Sequence, residues 1–110
     1  MSETYHVLAQ LSPNANVLTT AYTVPASYTA VLSSITICNT TSSQVTFRVS
    51  IQVAAAADNV KQYLYYDLPL LGNDTFISTI GLTLNVGDIL AVQANSINVA
   101  FGIFGVEISS

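Results

Sequence analysis

The chain has 110 residues, of which 51% are hydrophobic and only 7% are charged, and its formal net charge is −4. Arg48 and Lys61 are its only permanent cations, which excludes a surface that neutralises several nucleic-acid phosphates or adsorbs to an anionic membrane. The single cysteine, Cys38, excludes an internal disulfide, so burial of apolar side chains must stabilise the fold. At this length we expect one domain, residues 1–110.

Neither a membrane span nor an export signal is predicted. No apolar run approaches the roughly 18 residues that a membrane-crossing helix needs. The first residues, Met1 to His6, contain no basic segment followed by an apolar one, which is the pattern of a secretory signal. We therefore expect synthesis without export.

The clearest strand pattern lies in residues 44–53, where apolar and polar residues alternate. Val45, Phe47, Val49, Ile51 and Val53 share one face, and Gln44, Thr46, Arg48, Ser50 and Gln52 share the other. Because side chains leave a strand on opposite sides with a period of two, this pattern predicts one buried and one solvated face. The solvated face carries amides and hydroxyls with little charge, which favours contact with other proteins.

About eight strands are predicted in chain order, each followed by a turn signal. They cover residues 5–10, 17–24, 28–38, 44–53, 60–66, 75–80, 89–94 and 98–108. The fifth strand reaches residue 66 or slightly beyond, because Pro69 removes a ladder donor. Residues 54–59 form a loop or one short helical turn, since four alanines cannot sustain a helix. The predicted fold is an all-β, antiparallel, jelly-roll-like β-sandwich without substantial helix.

The apolar residues of the last strand change parity midway. One set is Ile97, Val99, Phe101 and Ile103, and the other is Phe104, Val106 and Ile108. A β-bulge, or a strand that leaves one sheet for the other, would reconcile the two sets. Alternatively both faces are buried, one against the core and one against a neighbouring subunit. Both interpretations remain open at this point.

Few residues suggest catalysis or metal binding. His6 and Cys38 are the only histidine and cysteine, and two single residues far apart in sequence are weak evidence for a nucleophile and its base. A zinc site needs three or four ligands. Asp58, Asp74 and Asp88 fall in predicted turns, where aspartate bonds its own backbone. We therefore predict a protein that is not an enzyme and holds no cofactor or metal, with Cys38 as a small apolar strand residue.

The densest aromatic stretch is residues 63–66. By parity Tyr63 and Tyr65 share a face with Lys61 and Asp67, whereas Leu64 and Tyr66 share the opposite face with Val60 and Leu68. We assign the second set to the core and the two tyrosines of the first set to the outside, where tyrosine is enriched in protein contacts. The candidate interface is Arg48, Lys61, Tyr63 and Tyr65. Sugar stacking by the same two rings and a cross-strand aromatic ladder remain open as alternatives.

The sheet edges of such a sandwich need protection, which monomeric proteins obtain from charge or proline. This chain has almost no lysine for that purpose, so we expect subunit pairing, the N-terminal segment or a larger assembly to cover its edges. Residues 1–16 are either an arm that reaches a neighbour or an edge strand. The prediction is a symmetric homo-oligomer.

Four short motifs at turns and strand starts carry a resemblance to a known class of protein. They are residues 18–26 (LTTAYTVPA), 33–39 (SSITICN), 65–69 (YYDLP) and 84–92 (LNVGDILAV). Over roughly residues 15–108 the chain resembles small β-sandwich virion proteins of tailed bacteriophages, most of all capsid decoration or cement proteins.

The resemblance implies a structural protein without a cofactor, located in the virion after synthesis in the host bacterial cytoplasm. Its partners would be itself, as a homotrimer, and the major capsid protein or another virion protein, with no nucleic acid and no membrane. The alternative is a receptor- or glycan-binding module of a tail or head fibre, or another tail or neck component. Short, aromatic-poor loops favour the structural role over recognition.

Overall fold

Two antiparallel sheets form the fold. The computed structural model describes residues 2–109, and within them lie nine strands and two short 3-10 turns. The strands are β1 (Glu3–Leu11), β2 (Thr19–Thr23), β3 (Tyr28–Asn39), β4 (Val45–Gln52), β5 (Tyr63–Leu70), β6 (Thr75–Ser78), β7 (Leu82–Leu84), β8 (Ile89–Ala94) and β9 (Val99–Ser109). The turns are Val53–Ala55 and Val60–Gln62. The all-β, antiparallel, sandwich-like prediction is confirmed, with the short strand β7 in addition.

The strand order leaves β1 at an edge. Sheet 1 has the order β1-β9-β3-β6, with β7 pairing to a second stretch of β3, and sheet 2 has the order β2-β8-β4-β5. Residues 3–11 are therefore an edge strand, which decides between the two interpretations of the N-terminal segment. The fifth strand begins at Tyr63 and continues through Pro69, because the edge strand β5 can direct a missing N–H away from the ladder.

The alternating strand β4 supplies the centre of the core as its pattern predicted, but Ser50, which was assigned to the solvated face, is fully buried. Phe47 and Val49 are buried and share one apolar cluster with Phe101 and Ile103 of β9, on the opposite sheet. Burying each such side chain stabilises the folded state by roughly 1.5–3 kcal/mol. The assignment of Val53 to this face is wrong, because β4 ends one residue earlier and Val53 is exposed in the 3-10 turn.

Asp88 connects two turns that are distant in the sequence. This residue is buried, and its Oδ2 accepts a hydrogen bond from the Asn85 N–H at 2.9 Å, which is the local bond expected of a turn aspartate. Its Oδ1 accepts a second bond from the Ala54 N–H at 2.8 Å and so holds the 3-10 turn after β4. Asp74 makes the expected local bond, accepting from the Thr75 N–H at 2.8 Å.

The apolar residues of β9 change parity because both faces of this strand carry apolar side chains. β9 itself contains no inserted residue. Phe104 follows the core residue Ile103 directly, and its ring lies over Gly102 on the outer side of sheet 1. The register does shift at this point, but the extra residues are Leu8 on β1 and Ser33 on β3. A bulge is thus present on each neighbour of β9, whereas β9 itself continues without one.

A close approach of two backbones at Gly105 accompanies the bulge on β3. A Cβ atom on Gly105 would lie 2.2 Å from the Val31 carbonyl oxygen, so no side chain fits there without backbone movement. At Gly102, three residues earlier, a Cβ would lie 2.7 Å from the Thr36 hydroxyl and 2.9 Å from the Phe104 ring, and both of these are side chains that can move. The two glycines therefore differ in what surrounds them.

We expect Gly105→Ala to lower the free energy of unfolding by about 2 kcal/mol, because overpacking against backbone typically costs about 1–3 kcal/mol. Gly102→Ala is the matched control and should cost clearly less, since its neighbours can rotate away. Urea denaturation of both variants measures the difference. Equal losses in the two variants would contradict the assignment of Gly105 as the position where the backbones meet.

Candidate functional site

Two irregularities in the pairing of β4 with β5 decide which tyrosines face outward. Val49 pairs with Tyr65, whereas the next residue, Ser50, pairs with Tyr63, so the residue between the two tyrosines is unpaired. A second irregularity lies at Asp67, which has a left-handed φ of 52°. Each extra residue reverses the parity of the side chains beyond it.

The predicted facing of the tyrosine stretch is therefore partly wrong. Tyr65, expected outside, packs against the core. Tyr66 and Val60, expected inside, are 58% and 87% exposed, and Leu64 is exposed as well. Tyr63 is half-buried and lies on the outer side of sheet 2 as predicted, because it pairs with Ser50, which has the parity of Arg48 in β4 and is itself buried. Parity failed here because the alternation was extended across two bulges that leave no mark in the sequence.

Tyr65 belongs to an aromatic cluster inside the sandwich. Its ring centroid lies 6.1 Å from that of Phe47 and 5.2 Å from that of Phe76. Its hydroxyl shares a hydrogen bond of 2.9 Å with the hydroxyl of Ser78. This cluster spans both sheets and so differs from the cross-strand ladder left open by the sequence, and Tyr65 is not available as an interface residue.

Arg48, Tyr63, Tyr66 and Asp67 meet on the outer side of sheet 2 and are called the Arg48 cluster below. Arg48 donates to both carboxylate oxygens of Asp67, from Nε at 2.6 Å and from Nη2 at 3.1 Å. Its guanidinium carbon lies 4.0 Å from the centre of the Tyr66 ring, which is a cation–π contact. The Tyr63 and Tyr66 rings meet edge to face at 5.0 Å.

The charges of the Arg48 cluster are mutually satisfied. The hydrogen bond from Arg48 lowers the pKa of Asp67, so this exposed carboxylate stays ionised. Burial raises the pKa of the Tyr63 hydroxyl, and a hydrogen bond to the Asp58 carboxylate raises it further. The arrangement holds the rings in place and leaves much of Tyr66 in contact with solvent.

A small polar cleft adjoins the Arg48 cluster. Its volume is about 140 Å³, and its walls include Arg48 and Asp67. The other polar side chains that line it are amides and a hydroxyl, from Asn16, Thr46, Gln93 and Asn95. An exposed aromatic ring beside convergent amide, hydroxyl and carboxylate groups suits a neutral, hydroxyl-rich ligand.

Lys61 lies apart from the other predicted interface residues. It is exposed in the second 3-10 turn and lines an open groove of about 620 Å³. The groove is otherwise mostly apolar, with Ile51, Val53, Ala56, Gln62 and Leu64 in its walls. Of the predicted set, the structure brings together Arg48 and Tyr63 only, and adds Tyr66, which parity had assigned to the core.

The outer surface of sheet 1 carries an apolar patch that sequence reasoning did not identify as a site. Its members point away from sheet 2 along β1, β3 and β9, and none of them is charged. They are Tyr5, Val7, Val31, Phe104, Val106 and Ile108, called the apolar face below. Tyr5 is 76% exposed and Val7 is 48% exposed, while the other four are half-buried. The parity change in β9 was the signal that pointed to this surface.

Cys38 lies on this same side of sheet 1. Its place in the third strand is as predicted, but the side chain is half-buried beside a shallow hollow of about 410 Å³ and does not enter the core. Thr36, Gly102 and Phe104 line the same hollow. The hollow extends the uncharged surface toward the end of the sheet.

His6 takes part in a hydrogen-bonded chain on the inner side of β1. Its Nε2 lies 2.9 Å from Oε1 of Glu107, and the Tyr22 hydroxyl donates to Oε2 of Glu107 at 2.5 Å. The bond from Tyr22 lowers the pKa of Glu107, and His6 lowers it further. Burial of Tyr22, together with the adjacent carboxylate, raises the pKa of its hydroxyl. These hydrogen bonds connect sheet 1 to sheet 2 at one end of the sandwich.

The structure does not bring His6 and Cys38 together. His6 pairs across Gly105 to Leu32 of β3, and Cys38 lies six residues further along β3, roughly 20 Å away at 3.3 Å per residue. The two side chains also lie on opposite sides of sheet 1. Within residues 2–109 no three His, Cys, Asp or Glu side chains cluster closely enough to hold a metal ion.

We expect Glu107→Gln to remove a pH-dependent part of the stability. The folded chain keeps this carboxylate ionised more readily than the unfolded chain does. Its contribution is therefore present above the ordinary glutamate pKa of 4.5 and is lost as the pH falls through the lower folded-state value. In urea unfolding from about pH 7 to about pH 3, the gap between wild type and variant should narrow below about pH 4.5.

Glu3→Gln is the matched control for that experiment, because Glu3 is an exposed carboxylate on the strand that pairs with Glu107. It should leave the pH profile of stability unchanged. A Glu107→Gln profile that runs parallel to wild type throughout would contradict the role assigned to the Tyr22 and His6 contacts.

No family model matches the chain, and no curated protein matches it either. Across residues 2–109 there is also no helix of the length and apolarity that crossing a membrane requires.

Proposed function

We propose that this chain is a non-enzymatic structural protein of a tailed-bacteriophage virion, a capsid decoration or cement protein. In this proposal it binds the major capsid lattice as a homo-oligomer, with the homotrimer implied by the resemblance as the expected state. It is made in the host cytoplasm and needs no cofactor. The observation that carries the proposal is the apolar face of sheet 1.

Large apolar side chains on that face are difficult to explain in a monomer. Phe104 and Val106 lie at its centre and point away from the core, and Tyr5 is largely exposed. Contiguous exposed apolar patches mark surfaces that bind other proteins. An uncharged sheet surface of this type suits a repeated contact with a regular lattice.

The distribution of charge supports the same proposal. The members of the apolar face carry no charge, and among residues 2–109 the acid that shares their side of β1 is Glu3, at the corner of the face. The chain as a whole has a formal charge of −4, so most of the acids lie elsewhere. An uncharged contact surface allows many identical copies to approach one partner without local like-charge repulsion.

Cryo-electron microscopy of virions of the phage that encodes this chain tests the proposal directly. We expect many copies in a symmetric arrangement on the capsid, with the apolar face against a capsid or subunit surface. A few copies confined to the tail or to a fibre tip would overturn the cement assignment.

Val106→Glu tests the apolar face itself, because it places a charge at the centre of the outward surface. We expect attachment to capsids to fall at least about tenfold while the free energy of unfolding changes little, since a desolvated charge is costly in an interface. Gln93→Glu is the matched control, a half-buried residue in the middle of a strand of sheet 2. Equal attachment of both variants in a capsid co-sedimentation assay would contradict this role.

A second candidate function, glycan binding by a fibre module, is favoured by the Arg48 cluster. The exposed ring of Tyr66 contacts Arg48, and Arg48 lines a polar cleft with several amide groups. Sugars bind where a ring and convergent hydrogen-bonding groups meet. The ring that serves this candidate is Tyr66 in place of Tyr65, which is inside.

Titration with neutral oligosaccharides, followed by NMR, distinguishes the second candidate from the first. Glycan binding predicts a dissociation constant on the order of 1 mM, lost in Tyr66→Ala and kept in Tyr5→Ala, which removes an exposed tyrosine from the other sheet. The capsid proposal predicts no change in the NMR chemical shifts of Tyr66 and its neighbours at any sugar concentration used.

A further inference from the structure

The free edge of β1 differs from every other sheet edge in residues 2–109. The edges formed by β6 and β7 are only four and three residues long. The edge strand β2 has five residues and a register irregularity at Ala21, and the edge strand β5 contains Pro69 and the left-handed Asp67. β1 has nine residues and keeps a regular register from Glu3 to Val7. Short, bulged or proline-containing edges resist pairing, and a long regular edge invites it.

The backbone groups available on this edge are identifiable. The Ser109 N–H donates to the Ser2 carbonyl oxygen at 2.8 Å, which makes these two residues a hydrogen-bonded pair of the β1–β9 ladder. Hydrogen-bonded pairs alternate along an antiparallel ladder. Glu3, Tyr5 and Val7 consequently direct their N–H and C=O groups away from β9, toward solvent.

We propose that two copies of this chain pair through their β1 edges, antiparallel, about a twofold axis at Tyr5. In this register Tyr5 pairs with Tyr5 of the other copy, and Glu3 pairs with Val7. All outward N–H and C=O groups of the three residues then find partners, giving about six hydrogen bonds. The inference rests on the self-association included in the proposed function and does not depend on a location in the virion.

The register centred on Tyr5 is favoured because the two neighbouring registers make poorer contacts. The outward groups of β1 alternate, so only shifts by two residues preserve the hydrogen bonds. A shift toward the bulge places His6 opposite His6 and runs one end of the pairing into the irregularity at Leu8. A shift the other way pairs Glu3 with Tyr5 and leaves Val7 opposite no residue of the described range 2–109. The register at Tyr5 opposes no like charges and sets two exposed aromatic rings side by side.

The same sequence features identify a second copy of this chain as the occupant of the edge. The segment can pair with itself without opposing like charges, because each Glu3 lies opposite Val7 and each Tyr5 ring lies opposite an identical ring. Pairing also brings the two apolar faces together, since Tyr5 and Val7 belong to both the edge and that face, and it places one Glu3 carboxylate at each end of the seam. A twofold contact of this kind makes a dimer or links two larger rings.

Disulfide trapping in the full-length chain tests the contact. The two Tyr5 Cα atoms of such a pair would lie about 5.5 Å apart, within the range that a disulfide spans. We expect Tyr5→Cys in a Cys38→Ser background to form a covalent dimer at least about tenfold faster than Thr4→Cys in the same background under mild oxidation. Thr4 faces the other side of β1 and would pair with His6, so two copies of it would lie beyond disulfide reach.

Tyr5→Pro provides a second, independent measurement. The Tyr5 N–H points to solvent in the isolated chain, so proline there should leave the fold intact while removing a central donor of the pair. We expect sedimentation velocity to show at least about tenfold weaker dimerisation than for Tyr5→Thr, which keeps the N–H. Near-equal crosslinking of the two cysteine variants, or equal self-association of the two Tyr5 variants, would overturn the pairing.

The outcomes separate this inference from the proposed function. If Tyr5→Pro still binds capsids as well as wild type and the cysteine variants do not crosslink selectively, the edge contact is rejected and the capsid role stands. If the cysteine dimer forms selectively but no virion contains the chain, the contact stands and the capsid role is rejected. A trimer in which the Tyr5 and Val7 amides exchange freely with solvent would also reject the contact.

Discussion

Every surface of this protein depends on the alternation of side chains along its strands and on the few bulges that interrupt it. Uninterrupted alternation in β4 directs Phe47 and Val49 into the core. In β5 the extra residue at Asp67 puts Tyr65 in the core and Tyr66 on the surface, and the unpaired Leu64 returns Tyr63 to the outer side. A single inserted residue therefore moves the following side chains of the strand from the core to the surface, or from the surface to the core.

The two outer surfaces of the sandwich differ in chemistry because the strands beneath them differ. Sheet 2 exposes the Arg48 cluster, in which an ion pair, a cation–π contact and an edge-to-face ring contact hold one another in place. Sheet 1 exposes uncharged side chains such as Phe104 and Val106 over a layer that is already packed on its inner side. A polar surface on one sheet and an apolar surface on the other give the molecule two different modes of contact, with the apolar one better suited to protein assembly.

Much of the fold was predictable because strand period and turn residues are local properties. The bounds of β8 agree with the prediction, and those of β3 and β4 agree to within one residue at each end. The candidate site was predictable only in part. Arg48 and Tyr63 do meet on the outer side of sheet 2, but Tyr65 and Lys61 lie elsewhere, because parity cannot be carried across a bulge whose position no residue type announces.

The sequence by itself determined the all-β class, the alternating core strand and the shortage of charge, since each follows from composition or from neighbours in the chain. Only the tertiary structure decided that the second apolar set of β9 faces solvent, that Asp88 holds a turn 34 residues away, and that β1 presents an unprotected edge. These features depend on which strands become neighbours in space. Strand order and register are set by the packing of the whole core, and local sequence patterns carry no record of them.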